Sequence, residues 1–149
     1  LSGSSAASDV YKRQFFNFAY FWGIVGAGMS LLTPDTTLGF PSFEYLNHMY
    51  GHLLIILGVN IGMVLMNERP HLKDFLNVMT FTTAAFLPAM YGVNFLLDAN
   101  YWYILEKPVG DNITALMPDA PYHILALIPV AWLLTFAIYV PFLLKDKNA

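Results

Sequence analysis

The sequence predicts an all-α fold, a polytopic transmembrane bundle with four membrane helices, and three observations carry that prediction. Hydrophobic residues make up 57% of the 149 residues and charged residues only 11%, whereas a typical soluble domain has about 25% charged residues. The apolar residues form four segments, each close to the roughly 20 residues that cross a bilayer. No stretch alternates apolar and polar residues as a half-buried strand does.

The same composition excludes several classes of function. Lys and Arg number 7 against 10 acidic residues, so the chain lacks the basic footprint of a nucleic-acid-binding protein. It has no cysteine, which excludes a disulfide framework, a zinc-thiolate site and a cysteine nucleophile within this chain. No motif requires a cofactor, and none is expected. Membrane lipids are the expected partners.

Residues 1–14 differ in character from the rest. The first ten are rich in Ser, Ala and Gly, and Asp9–Gln14 has the sequence DVYKRQ. This hexapeptide resembles a translated sequencing adapter, so residues 1–14 are predicted to be non-native and are set apart from fold reasoning. Residues 15–149 are then the bundle, the C-terminal part of a longer protein. The alternative is an ordinary polar tail.

Four helices are predicted within residues 15–149. The first contains Gly23, Gly26 and Gly28, small residues that allow helices to approach closely, and it ends before Pro34. The second carries His48, His52 and Asn60, and the third and fourth contain prolines, which neighbouring helices allow within a membrane. The predicted segments are Phe15–Leu32, Phe43–Met66, Phe75–Leu97 and Tyr122–Leu144.

Charge placement predicts the orientation of the bundle. The loop after the second helix and the C-terminus together contain four basic residues, Arg69, Lys73, Lys145 and Lys147. The opposite loops contain Lys107 among several acidic residues. Under the positive-inside rule the first set is cytoplasmic. A multi-pass protein of the cell membrane is therefore expected.

Residue order further suggests a family. The relevant motifs are Asn17–Gly23 (NFAYFWG), Leu31–Asp35 (LLTPD), Phe40-Pro41, His52, Glu68–Pro70 (ERP), Asn94, Asn100-Tyr101, Lys107-Pro108 and Pro141-Phe142. This set resembles the YwaF-like bacterial integral membrane proteins, which have animal transmembrane relatives. The resemblance implies a bundle of about six or seven helices, of which this chain holds the last four.

The resemblance also implies a chemistry. The animal relatives are regarded as phospholipid acyltransferases and are distantly similar to Thr/His-dependent lipid hydrolases. In them a nucleophile on an upstream helix works with a histidine, and His52 matches that histidine. The nucleophile would lie before Phe15. Pro121–His123 departs from the family pattern, which puts a role for His123 in doubt.

His52 is also a candidate without any resemblance. Glu44, His48 and His52 are spaced by four residues, so they share one helix face. An ionisable residue roughly 12 Å inside a membrane helix is by default a functional hypothesis, and a neutral imidazole could take a proton from a nucleophile. The alternative is a hydrogen bond that fixes helix packing, the role favoured for His48. A metal site would need further ligands, so none is predicted.

Polar residues at the outer end of the third helix form a second candidate. Asn94, Asn100 and Lys107, with Asp98 nearby, could bind a lipid headgroup, and they are predicted as substrate-binding residues. The alternative is a solvated helix end. Tyr101–Tyr103 fits an interfacial aromatic belt. Lipid acyl chemistry with His52 as general base is the leading hypothesis, and its rival is a non-enzymatic carrier or accessory protein whose Asn and His residues line a polar path.

Overall fold

A computed structural model of the chain describes residues 2–108 and 112–147. It is 77% helix, with no strand in that part of the chain. We number the four long helices α1 to α4, two of which contain a π-helical turn. Helix α1 consists of Ser2–Phe18, the π turn Ala19–Gly23 and Ile24–Leu32. Helix α2 is Phe43–Leu65. Helix α3 consists of Leu72–Phe81, the π turn Thr82–Phe86 and Leu87–Leu97, and helix α4 is His123–Lys147.

Each long helix contains a stretch long and apolar enough to cross a membrane. The stretches are Val10–Leu32, Phe43–Leu65, Leu72–Leu97 and His123–Lys147. The predicted fold class, an all-α bundle with four such helices, is confirmed.

Two predicted helix starts are too late. Helix α3 begins at Leu72 rather than Phe75, because His71 and Asp74 form a capping box that starts it ahead of the apolar run. Helix α1 begins at Ser2, so residues 2–14 have a helical backbone continuous with the rest of α1. Their non-native origin stays a prediction.

The core lies where α1, α3 and α4 meet. Phe21 of α1 is 1% exposed, and its ring lies 5.8 Å from that of Phe75 in α3. The ring of Phe75 in turn stacks on Tyr139 of α4 with centroids 6.3 Å apart. Helix α1 therefore forms the centre of the bundle, because it contacts each of the other three helices.

The two π turns meet in this core. Trp22, in the π turn of α1, donates from Nε1 to Oγ1 of Thr82, in the π turn of α3, over 2.8 Å. Trp132 of α4 donates likewise to Thr83 over 3.0 Å. Pro88 follows the π turn of α3 and has no backbone N–H, so it cannot donate a hydrogen bond to the preceding helical turn. The wider π turn accommodates this missing bond. Indole-to-hydroxyl bonds thus join all three helices.

Helix α2 lies at the edge of the bundle and packs mainly on α1. A Cβ on Gly23 of α1 would lie 3.0 Å from Cγ2 of Ile55, and one on Gly62 of α2 would lie 3.2 Å from Cδ2 of Phe16. Both glycines are therefore needed for the close approach of the two helices.

Contacts between loops define the two ends of the bundle. Arg69, just after α2, forms an ion pair of 2.6 Å with Asp146 near the end of α4. At the other end, the hydroxyl of Tyr103 donates to Asp35, which follows α1. The basic loop and the C-terminal end of α4 share one end, as the charge pattern predicts. Which end is cytoplasmic stays a prediction.

Candidate functional site

An open cavity of about 540 Å³ lies beside the first three turns of α2. It is at the end of the bundle where α1 finishes. Its lining residues are Asp35, Thr36, Glu44, Asn47, His48, Gly51, His52 and Ile55. The three residues that the sequence places on one helix face, Glu44, His48 and His52, therefore share this cavity.

The hydrogen bond of His52 fixes the tautomer of its neutral ring. Nδ1 lies 2.7 Å from the carbonyl oxygen of His48, one turn earlier in α2. A carbonyl only accepts, so Nδ1 carries the hydrogen, and in the neutral ring Nε2 keeps a free lone pair. No described residue bonds Nε2. The side chain is half-buried on the cavity wall, so this lone pair remains available to a ligand.

His48 has the opposite arrangement. Its Nε2 donates to the carbonyl oxygen of Ser30 in α1 over 3.2 Å, and its ring lies 4.3 Å from that of His52. This bond crosses from α2 to α1, which agrees with the packing role that the sequence favours for His48. The two histidines therefore lie together, one tied to the neighbouring helix and one tied only to its own.

The start of α2 holds the mouth of the cavity in place. Ser42 caps the helix by accepting from the backbone N–H of Tyr45 over 3.2 Å. Glu44 accepts from the backbone N–H of Thr37 over 3.0 Å and from its hydroxyl over 2.8 Å. These bonds fold the 33–42 connection back onto α2.

Asp35 links the cavity to the loop that follows α3. The neutral phenol of Tyr103 donates a hydrogen bond to the carboxylate of Asp35. This bond raises the pKa of Tyr103 from 10.0 to about 12, and burial and the negative charge of Asp35 add to the effect. Trp102 and Tyr103 have φ of 61° and 51°, a left-handed conformation that costs energy in bulky residues. The loop must therefore be held by specific bonds.

Two buried side chains hold it. Asn94, fully buried in α3, pairs with both backbone groups of Tyr101 at 2.8 and 2.9 Å. His123, fully buried at the start of α4, donates from Nε2 to the carbonyl oxygen of Tyr103 over 2.7 Å. Nothing in the sequence predicts this role of His123. Its one signal was a histidine just before an apolar helix, which does not reveal a partner twenty residues away.

The predicted substrate-binding residues all bond to loop backbone. Asn100 accepts from the N–H groups of Leu105 and Glu106 at 3.0 and 3.2 Å. Lys107 donates to the carbonyl oxygen of Met117 over 3.1 Å and lies 3.7 Å from Asp119. Asn94, Asn100 and Lys107 thus organise the loops near Asp35 and do not line the His52 cavity. Their substrate-binding role stays a prediction.

A metal has no visible site here. Among the described residues, no group of three or more His, Cys, Asp or Glu side chains is placed to hold an ion. Glu44, His48 and His52 line one cavity, but the carboxylate of Glu44 is engaged with Thr37.

Comparison with known protein families assigns the chain to one family. The model of the TMEM164 family matches residues 6–139, which is most of the sequence. The chain belongs to the TMEM164 family. With its four apolar helices it is a membrane protein of the TMEM164 family. No curated protein and no solved structure matches the sequence.

The resemblance to the YwaF-like proteins is therefore wrong, because the TMEM164 model covers nearly the whole bundle. The motifs behind the resemblance are short runs of aromatic, Gly and Pro residues within apolar helices. Membrane helices of many families use such residues at interfaces and close contacts. They indicate a membrane bundle better than they separate one family from another.

Proposed function

We propose that the chain forms the histidine-bearing part of an enzyme of the cell membrane that acts on lipid acyl esters, with His52 as its general base. The observation that carries the proposal is the tautomer of His52. The His48 carbonyl accepts the hydrogen bond of Nδ1–H, so in the neutral ring Nε2 is the nitrogen with the free lone pair, and it lies at a cavity wall. A general base needs such a lone pair within reach of its substrate.

The position of the cavity favours a lipid substrate. It lies beside the first turns of α2, a helix long and apolar enough to span a membrane, and the ends of a spanning helix lie near the polar interface of the bilayer. The cavity is open, and the same turns of α2 expose apolar residues such as Tyr50 and Leu54 elsewhere on their surface. A lipid could therefore reach His52 sideways from the bilayer.

The reaction exchanges one ester for another. Nε2 of His52 takes the proton of an attacking hydroxyl while its oxygen bonds to the ester carbonyl carbon. The ester C–O bond then breaks, and the departing oxygen takes the proton back from His52. Acyl groups are conserved, and no oxidant or reductant is needed. With water as the attacking group the same step is hydrolysis.

Substitution of His52 tests the base. We expect His52→Ala and His52→Gln each to lower acyl transfer or hydrolysis in membranes carrying the protein by about 100-fold or more. Glutamine can keep a hydrogen bond but cannot act as a base, so both variants should fail alike. Asn60→Gln, an exposed polar position of α2 outside the cavity, is the matched control and should keep wild-type activity.

The outcomes separate this proposal from its rival. If His52→Gln restores what His52→Ala loses, His52 is a packing residue. If the wild type and both variants give equal lipid turnover, the enzyme proposal fails, and a carrier or accessory role is left. His48→Gln should have a smaller effect than either, because His48 bonds to α1.

A further inference from the structure

A second and larger cavity lies at the end of the bundle opposite His52. It is a groove of about 1040 Å³ between the first half of α1 and the first half of α3. Phe15, Phe18, Trp22 and Phe81 form its apolar wall, and Asn17, Lys73 and Asn77 add polar groups. The reaction proposed for His52 makes no use of this groove.

The mouth of the groove carries a net positive charge. Arg13 forms an ion pair of 2.8 Å with Asp74. Nδ1 of His71 accepts from Arg13, and the backbone N–H of His71 donates to Asp74 over 3.1 Å. Lys73 has no ion-pair partner among the described residues. With Arg13 and Asp74 compensating each other, one lysine charge remains on the rim. An anionic group is its natural complement.

Deeper in the groove, Asn17 adds a polar group. The residue is 6% exposed and lines the groove, and its side chain bonds to no described residue. Because its Oδ1 is buried, its NH₂ group is the part that can face the groove. An NH₂ group donates, and the carbonyl oxygen of a lipid ester can accept from it.

We propose that this groove binds one anionic phospholipid, with its phosphate at Lys73 and His71, an ester carbonyl at Asn17 and an acyl chain along Phe18, Trp22 and Phe81. Arg13 pairs with Asp74, and the ring of Phe18 lies 5.5 Å from that of Phe81. Asn17 therefore lies between these two levels of α3, about one to two helical turns deeper than Lys73. The ester groups of a phospholipid likewise lie just below its phosphate. Val10, Arg13 and Gln14 also line the groove, whereas the side chains assigned to the phosphate, the ester and the acyl chain lie outside residues 1–14.

Fluorescence quenching in bilayers tests the site. The chain is reconstituted in phosphatidylcholine bilayers with increasing fractions of bromine-labelled phosphatidylglycerol or bromine-labelled phosphatidylcholine. Subtracting the signal of Trp22→Phe isolates the quenching of Trp22. We expect phosphatidylglycerol to reach half-maximal quenching at a mole fraction about fivefold lower than phosphatidylcholine.

Two variants and a control assign the contacts. In Lys73→Gln, the mole fractions that give half-maximal quenching should differ by no more than about twofold between the two lipids. This exposed side chain can be replaced without disturbing the core. Lys145→Gln, at the same end but outside the groove, should keep the fivefold preference. Asn17→Leu should weaken the quenching by both lipids.

Three results would overturn the proposal. Equal quenching of the wild type by both lipids would show that charge does not select the occupant. A preference that survives Lys73→Gln would place the anion elsewhere. Trp22 quenching by neither lipid would mean that protein, such as a second copy of the chain, fills the groove.

Discussion

Helix α2 and the group of α1, α3 and α4 are held by different forces. The three-helix group shares a buried aromatic core and two indole-to-hydroxyl bonds. Helix α2 contributes two buried residues, Val59 and Gly62, and most of its surface is exposed. The helix that carries His48 and His52 therefore buries the fewest residues of the four long helices and is held mainly by its close contact with α1.

This difference separates the packed core of the bundle from the helix that carries the proposed general base. Lipid tails are as apolar as the core, so helices associate through close packing and hydrogen bonds rather than the hydrophobic effect. The three-helix group uses both. Helix α2 relies on close approach at Gly23 and Gly62 and on the His48–Ser30 bond, which leaves its other face uncovered by the rest of the described bundle.

The largest expected effect comes from the aromatic core. Phe75 is 4% exposed and contacts the rings of Phe21, Trp132 and Tyr139. We expect Phe75→Ala to lower the free energy of unfolding, measured in lipid bicelles, by about 2–4 kcal/mol, because the lost contacts leave a cavity.

Phe95 on the same helix is the matched control. It is 77% exposed, so Phe95→Ala should change the free energy of unfolding by less than about 0.5 kcal/mol. Equal losses in the two variants would show that the three-helix core is not the stability centre of the bundle, and the contrast with α2 would disappear.

An intermediate effect is expected where α2 meets α1. Because a Cβ on Gly23 would lie 3.0 Å from Cγ2 of Ile55, Gly23→Leu should push α2 away at a cost of about 1–2 kcal/mol. Spin labels on the exposed Val64 and Leu76 would report a longer or broader distance. The lipid acyl activity should fall with it, since the cavity lies on α2.

Gly26, nearly one turn along α1, provides the control. No atom lies within 4 Å of a Cβ built there, so Gly26→Leu should leave both the distance and the activity unchanged. An unchanged distance in Gly23→Leu would mean that α2 does not depend on close contact with α1.

The sequence predicts the bundle well because its signals are local. Four apolar segments and their flanking loops suffice to define four membrane helices. The π turns at Ala19–Gly23 and Thr82–Phe86 are not predictable in this way, because they depend on where Trp22 and Trp132 meet Thr82 and Thr83. Pro88 signals a disturbance in α3, but not its form.

The candidate site was predictable in part. Four-residue spacing alone places Glu44, His48 and His52 together, and the structure gives them a common cavity. Spacing does not reveal that Nδ1 of His52 is tied to its own helix, nor that Asn94 and His123 hold a strained loop. Such long-range hydrogen bonds leave no periodic pattern in a single sequence.

The smallest expected effect concerns the bond between Tyr103 and Asp35, which links the loop of the three-helix group to the connection before α2. The pKa of Tyr103 is raised from 10.0 to about 12, so the folded state keeps its phenol proton where the unfolded state loses it. The stabilisation is therefore complete below pH 10 and is lost as the pH rises toward 12. Tyr103 is 40% exposed, and solvent screening keeps the effect small.

The difference in phenolate absorbance between the wild type and Tyr103→Phe gives this titration directly. Asp35→Asn should move it back toward 10, since the carboxylate is its main cause, whereas Asp98→Asn should leave it unchanged. A Tyr103 that titrates near 10 in the wild type would mean that the two parts of the bundle are not joined here.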